Sequence, residues 1–254
     1  MSKIPIALIA AVLYAQTPAK LTTVQRTQYL RAACAGKVNS KGECTACLGS
    51  GQPGITDLVE AIPGSFTARG SKEVLLITSS MDCEPHANNF GGAILLTFRN
   101  GAWEKGAYEA GIVGNDFKML QTAAGRDLLV YQGGFVQSGQ TSESINVLTI
   151  SSGGFDSQTL LRVNSAGGGT CQPAPEVMHD GQLKGVDVAQ GTTRARVQVT
   201  TSRQKGDKDG ACVVVPGSST TVQYNVEYLL RDGKFVVAPA SAPVAKKLKE
   251  LFEN

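Results

Sequence analysis

The sequence predicts a mainly β protein made of three tandem four-stranded antiparallel units and ended by a C-terminal helix. Three observations predict it. Glycine fills 29 of 254 positions, above the usual ~7 % and suited to many tight turns. Apolar segments of strand length are rich in β-branched and aliphatic residues and are bounded by Gly, Asn, Asp and Ser. One strand–turn–aromatic pattern also occurs three times along the chain.

The pattern reads AILLTFRNGAW over Ala93–Trp103, NVLTISSGGF over Asn146–Phe155 and EYLLRDGKF over Glu227–Phe235. Asn-Gly, Gly-Gly and Asp-Gly are the pairs that accept the positive φ angles of a two-residue hairpin. The aromatic after each pair opens the returning strand. Upstream of each hairpin lies a second shared element, FTARGSKEVLLI from Phe66, LQTAAGRDLLVY from Leu120 and VAQGTTRARVQV from Val188. Each reads as a short strand, a turn at Gly70, Gly125 or Gly191, and a second strand. The units then span approximately 62–109, 115–163 and 184–238.

These repeats resemble the units of the FG-GAP/VCBS class of β-propeller proteins. The likeness is carried by Gly70 and Gly125, by Glu73 and Asp127 opening apolar strands, by the three hairpin turns and by the string Phe90-Gly91-Gly92-Ala93. It implies blade-like units, with sandwich-like or barrel-like packing as the alternative, since closed propellers use about 4–8 blades. Many repeats of that class carry a calcium-binding run of aspartates, and these entry turns have none. Asp207-Lys208-Asp209-Gly210 offers too few oxygen ligands for calcium and reads as a charged hairpin tip.

The flanks are distinct. Lys3 precedes an apolar run from Ile4 to Ala15 and a polar exit at Gln16-Thr17-Pro18, the order of a cleavable signal peptide over 1–15. The run is shorter than the roughly 20 apolar residues of a span, so no membrane span is expected in the mature chain. Residues 16–61 read as a Cys-rich segment with a helix around Thr22–Ala33, followed by the repeated domain at 62–238. Over 239–254, Pro243 suits a helix start, and Val244, Leu248, Leu251 and Phe252 fall on one helical face.

Export to the periplasm or the exterior makes a disulfide framework the expected state of Cys34, Cys44, Cys47, Cys83, Cys171 and Cys212. Spacing favours Cys171 with Cys212 and leaves the other four to form two bridges near the N-terminus. Cys44-Thr45-Ala46-Cys47 lacks the His that covalent haem attachment needs, since Leu48 stands there. It lies between glycines, without the strand–helix setting of a redox pair.

A net charge of +3 is close to balance, so nucleic acid is not an expected partner. Motifs for nucleotide binding, zinc peptidase chemistry or a serine nucleophile elbow are absent, and His86 and His179 are the only histidines. The densest polar cluster is MDCEPHANNFGG from Met81. There Glu84, His86, Asn88 and Asn89 are candidate ligand-binding residues on a loop tethered by Cys83. The expected function is a non-enzymatic binding module whose partner is a protein, a glycan or an envelope component. The alternative is a metal-dependent hydrolase using Asp82, Glu84 and His86, joined by His179 if the units bring it near. The sequence calls for no cofactor and leaves zinc and calcium open.

Overall fold

The computed structural model describes residues 21–80, 83, 91–137, 140–165, 171–189 and 191–253. The signal-like segment 1–15 lies outside the described residues. Helix α1 (Thr23–Ala33) begins at a capping box. Gln25 N–H donates to Thr22 Oγ1 at 3.2 Å, and Thr22 N–H donates to Gln25 Oε1 at 3.0 Å. The helix buries Tyr29, Leu30 and Ala33.

The strands form three antiparallel sheets. Sheet 1 runs in chain order through β1 (Cys44–Ala46), β2 (Pro53–Gly64), β3 (Glu73–Ser79), β4 (Gly91–Arg99) and β5 (Ala102–Ala110). Sheet 2 contains β6 (Gly114–Gln121), β7 (Asp127–Gln137), β8 (Gln140–Ser151) and β9 (Gly154–Asn164). Sheet 3 orders β10 (Glu176–Ala189), β11 (Thr192–Gly206), β13 (Thr220–Arg231) and β14 (Lys234–Val237), with β12 (Cys212–Val214) paired to β11. Asn100-Gly101 and Asp232-Gly233 make the expected hairpins with positive φ at both positions. The middle hairpin turns one residue early, at Ser152-Gly153, because Ser151 already pairs with Gly154.

Three details differ from the sequence expectation. Sheets 1 and 3 each have five strands rather than four, since β1 pairs with β2 and β12 pairs with β11. The entering strand of sheet 1 is β2, which starts at Pro53, ahead of the Phe66 segment expected to be a strand. Phe66 cannot join a ladder, because Glu73 captures the local backbone. Glu73 Oε2 accepts the Phe66 N–H at 2.7 Å and the Thr67 N–H at 2.9 Å. Sheet 3, for its part, begins at Glu176 rather than near residue 184.

The sheets stack face to face. Along β3, Val74 and Leu76 pack toward α1, while Leu75 and Ile77 pack toward sheet 2. Along β7, Leu129 and Tyr131 join the core shared with sheet 1, while Leu128 and Val130 join the core shared with sheet 3. The layer order is therefore α1, sheet 1, sheet 2, sheet 3. The outer face of sheet 3 carries Arg194 and Arg196, paired with Glu227 at 2.7 Å and Asp187 at 3.5 Å. These pairs are solvated and hold little stability. With α1 over sheet 1 and a charged ladder over sheet 3, the described residues form no closed propeller.

Helix α2 (Ala242–Phe252) has Pro243 in its first turn and buries Leu248 and Phe252 in the core between sheets 2 and 3, with Val244 and Leu251 beside them. Gly181 makes room for it, since a Cβ there would stand 2.5 Å from the Phe252 ring. Among the described residues no helix is long and apolar enough to cross a membrane.

Two acids hold the Ser65–Ser71 loop, Glu73 from within sheet 1 and Asp127 from sheet 2. Glu73, only 2 % exposed, also accepts Ser71 Oγ–H at 2.7 Å and the Thr67 hydroxyl. Asp127 Oδ2 accepts the Ser65 N–H at 2.7 Å, and Ser65 O accepts the Asp127 N–H at 2.9 Å. Burial pushes the Asp127 carboxyl up; hydrogen bonds from Ser65 and Gln121 oppose the rise, and the Glu73 charge adds to it. A carboxyl raised on folding favours the folded state below its unfolded pKa, and that contribution is lost as pH climbs through the folded value. The stability of the native protein relative to Asp127→Asn is therefore expected to fall as pH rises through the titration of Asp127. Urea midpoints of both proteins across the acid range check this, and a difference that grows with pH would contradict it.

Candidate functional site

The two rims of the stack differ because successive antiparallel strands reverse direction. At one rim β2, β4, β6, β8 and β10 begin, and β3, β5, β7, β9 and β11 end. The opposite rim carries the hairpins at Asn100-Gly101, Ser152-Gly153 and Asp232-Gly233 and the Ser65–Ser71 loop. Contacts between sheets keep the rims in line. On the turn rim Ser65 meets Asp127, and Gln158 Nε2 donates to Phe235 O at 2.9 Å. On the other rim Glu143 Oε2 accepts the Leu183 N–H at 2.6 Å.

The rim opposite the hairpins collects the long connections, from β3 to β4 and from β9 to β10. It also holds two of the three disulfides, Cys47–Cys83 and Cys171–Cys212, while Cys34–Cys44 joins the end of α1 to β1. Cys44 and Cys47 are thus bridged to other partners and not to each other. Exposed apolar side chains gather here too: Val113, Phe135, Val136, Val177, Val213 and Val222. A rim carrying tethered loops on a rigid scaffold is where binding groups concentrate.

At the root of the β3–β4 connection the Cys47–Cys83 bridge borders a polar cavity of about 120 Å3, walled by Thr56, Thr78, Ser80 and Tyr108. The hydroxyls are tied down. Thr56 Oγ1 donates to Ala46 O at 3.0 Å and lies 3.2 Å from Ser80 Oγ, which donates to Ile55 O at 3.0 Å. Ser80 Oγ also meets Cys83 Sγ. The Tyr108 ring lies over Gly49 and Gly92, where a Cβ would come within 2.9 and 2.8 Å of it. Nothing in the sequence marked Thr56, Ser80 or Tyr108, since a hydroxyl inside a strand has no local signature. The candidate residues Asp82, Glu84, His86, Asn88 and Asn89 lie outside the described residues. What the structure places is Cys83 at their root.

His179 lies on β10, its Nδ1 3.0 Å from Thr201 Oγ1. It belongs to sheet 3 and Cys83 hangs on sheet 1, with sheet 2 between them. The neighbouring Asp180 has one buried oxygen, Oδ1, without a hydrogen bond. Asp207 Oδ1 accepts the N–H groups of Asp209 and Ala211 at 2.9 Å each, so this carboxylate shapes the β11–β12 turn. Among the described residues no cluster of three or more His, Cys, Asp or Glu is placed to hold a metal ion.

A second and larger hollow, of about 560 Å3, opens between sheets 2 and 3 on the same rim. Its walls include Val113, Gly134, Phe135, Val136, Glu143 and Leu183. It is amphipathic, with apolar side chains around a single carboxylate. Comparison of the chain with protein-family models, curated proteins and solved structures finds no match.

The bridges differ in the loops they close, with sequence separations of 10 for Cys34–Cys44 and 36 for Cys47–Cys83. Loop-closure entropy assigns about 3 kcal/mol to the shorter and about 4 kcal/mol to the longer. Replacing Cys47 and Cys83 together by serine should therefore cost more than replacing Cys34 and Cys44, as measured by guanidinium unfolding. The reverse order would show that the β3–β4 connection is held by contacts other than its bridge.

Proposed function

We propose that this is an exported binding module that engages a macromolecular partner of the envelope or exterior through the rim bearing the long connections. One observation carries the reading. Two tethered connections, two disulfides, two hollows and a group of exposed apolar side chains collect on one rim, while the other carries shorter turns and the Ser65–Ser71 loop. Isolated exposed hydrophobics are ordinary, but their grouping around a hollow marks an interaction surface. Three disulfides suit an oxidising compartment, which agrees with the signal-like pattern over 1–15. We further infer that the three sheets are copies of one blade-like unit related to the FG-GAP/VCBS class. Support comes from Glu73 and Asp127, carboxylates that open β3 and β7 and both hold the Ser65–Ser71 loop.

Photo-crosslinking amino acids placed one at a time in the full chain, in the cell that makes it, test the binding face. Crosslinks to a macromolecule are expected from Val136, Val177 and Val213 on the loop rim. Positions Asn100, Ser152 and Asp232 on the turn rim should give none. Crosslinks confined to the turn rim, or absent from the loop rim, would overturn the reading.

A further inference from the structure

Strand β7 runs past its neighbour. Strand β6 begins at Gly114, opposite Gly133, and β7 continues to Gln137. On its other side β8 pairs the whole extension, with Gly134 opposite Glu143, Phe135 opposite Ser142 and Val136 opposite Thr141. The chain ahead of β6 leaves the gap open because it turns toward sheet 1. Val113 N–H closes onto Gly111 O at 3.0 Å, and Gly111 N–H reaches Gly91 O at 3.0 Å. Residues 134–137 therefore have no strand on one side among the described residues. A strand's peptide groups alternate between its two edges, so part of this backbone has donors and acceptors directed into the gap.

The 560 Å3 hollow follows this open edge, from Val113 and Gly114 to Glu143 and Leu183. Sheets normally guard such an edge with charge or proline. Strands β5 and β6 do so with Glu104, Lys105, Asp116 and Lys118. The extension Gly134–Gln137 carries no charge, and it leaves Phe135 37 % and Val136 67 % exposed. Gly134 also puts no side chain between its backbone and the hollow.

Strand alternation decides what an occupant would meet. Phe135 lies on the face of sheet 2 that turns to sheet 1, and Val136 on the face that turns to sheet 3, where Glu143 also lies. Glu143 is the only charged residue among the described walls of the hollow. An added strand directs its own side chains alternately to the same two faces. One set would then rest on Phe135 and Val113, and the other would approach the Glu143 carboxylate.

We propose that residues 134–137 of β7 are a docking edge that accepts an extended peptide of a partner protein as an added strand, its side chains alternately apolar and basic. The proposal rests on the reading of this rim as the binding face and names the chemistry of what binds there. Backbone hydrogen bonds supply the register, Phe135 and Val113 receive the apolar side chains, and Glu143 selects for lysine or arginine. A glycan lacks the regular spacing of donors and acceptors that a strand edge pairs with, and an acidic peptide would be repelled by Glu143.

The test uses the full oxidised chain, labelled with 15N, and a blocked hexapeptide alternating lysine and valine. Saturable amide shifts are expected at Gly134–Gln137, Asn115 and Glu143. Alternate N-methylation of the peptide removes backbone donors from one edge and should weaken binding roughly tenfold or more. A glutamate–valine hexapeptide should bind more weakly than the lysine–valine one, and Glu143→Gln should narrow that difference while keeping an acceptor for Leu183 N–H. No shift at these residues up to about 1 mM peptide, or equal binding of the N-methylated peptide, overturns the docking edge. If crosslinks mark Val177 and Val213 while the peptide leaves β7 untouched, the binding rim stands and this edge falls. If the loop rim gives no crosslinks at all, the wider reading falls whatever the peptide does.

Discussion

Sheet 2 holds the molecule together because Leu128 and Val130 pack toward sheet 3 while Leu129 and Leu148 pack toward sheet 1, all of them essentially buried. A fully buried side chain of this size contributes about 1.5–3 kcal/mol, and sheet 2 contributes such side chains on both faces at once. Without it, sheet 1 would expose Leu75, Ile77 and Leu95, and sheet 3 would expose Val197, Val199 and Val226. Each would lose the core it shares with sheet 2, leaving sheet 1 only its face against α1. The remaining devices trim this stack. Helix α1 covers the far face of sheet 1, charged pairs wet the far face of sheet 3, and α2 closes the margin between sheets 2 and 3.

The same geometry produces the asymmetry on which function depends. In an antiparallel meander each strand returns the chain to the rim it left, so connections fall alternately on two rims. One rim carries the glycine hairpins and the Ser65–Ser71 loop, which Glu73 and Asp127 hold down. The other rim receives the longer connections, and two disulfides restrict the entropy of the segments they close. The stack also sets where an edge is left unguarded. The chain must cross from sheet 1 to sheet 2 at Gly111–Val113, so β6 starts late and the end of β7 is paired by β8 on one side only. The opening at residues 134–137 is thus a by-product of joining two stacked sheets, and the uncharged GFVQ sequence keeps it open.

Much of the local structure was legible in the sequence. The Asn-Gly and Asp-Gly hairpins, both helices and the Cys171–Cys212 bridge follow from rules spanning a few residues or from compartment and spacing. The layer order was also written there in a form easily passed over. VLLI in β3, AILL in β4 and LLVY in β7 are continuous apolar runs, as strands covered on both faces require, whereas RARVQV in β11 alternates because one of its faces is wet. The strand expected at Phe66 failed for a reason beyond propensity: the side chain of Glu73, seven residues on, takes the N–H groups a ladder would need. The site was less legible still. Cys83 marked a tether, but Thr56, Tyr108, Phe135 and Glu143 come together only through the stacking of sheets distant in sequence.

The central claim is that burial of sheet 2 from both sides makes the three sheets one cooperative unit. Native-state hydrogen exchange on the full chain and on Leu148→Ala tests it most directly, because Leu148 faces sheet 1 and does not belong to the core shared with sheet 3. The substitution should cost about 2–5 kcal/mol. The slowest amides of sheet 1, sheet 2 and sheet 3 should lose protection by that same amount, Val197 and Val226 included. Unchanged protection in sheet 3 would contradict the account and show a stack of independently stable layers.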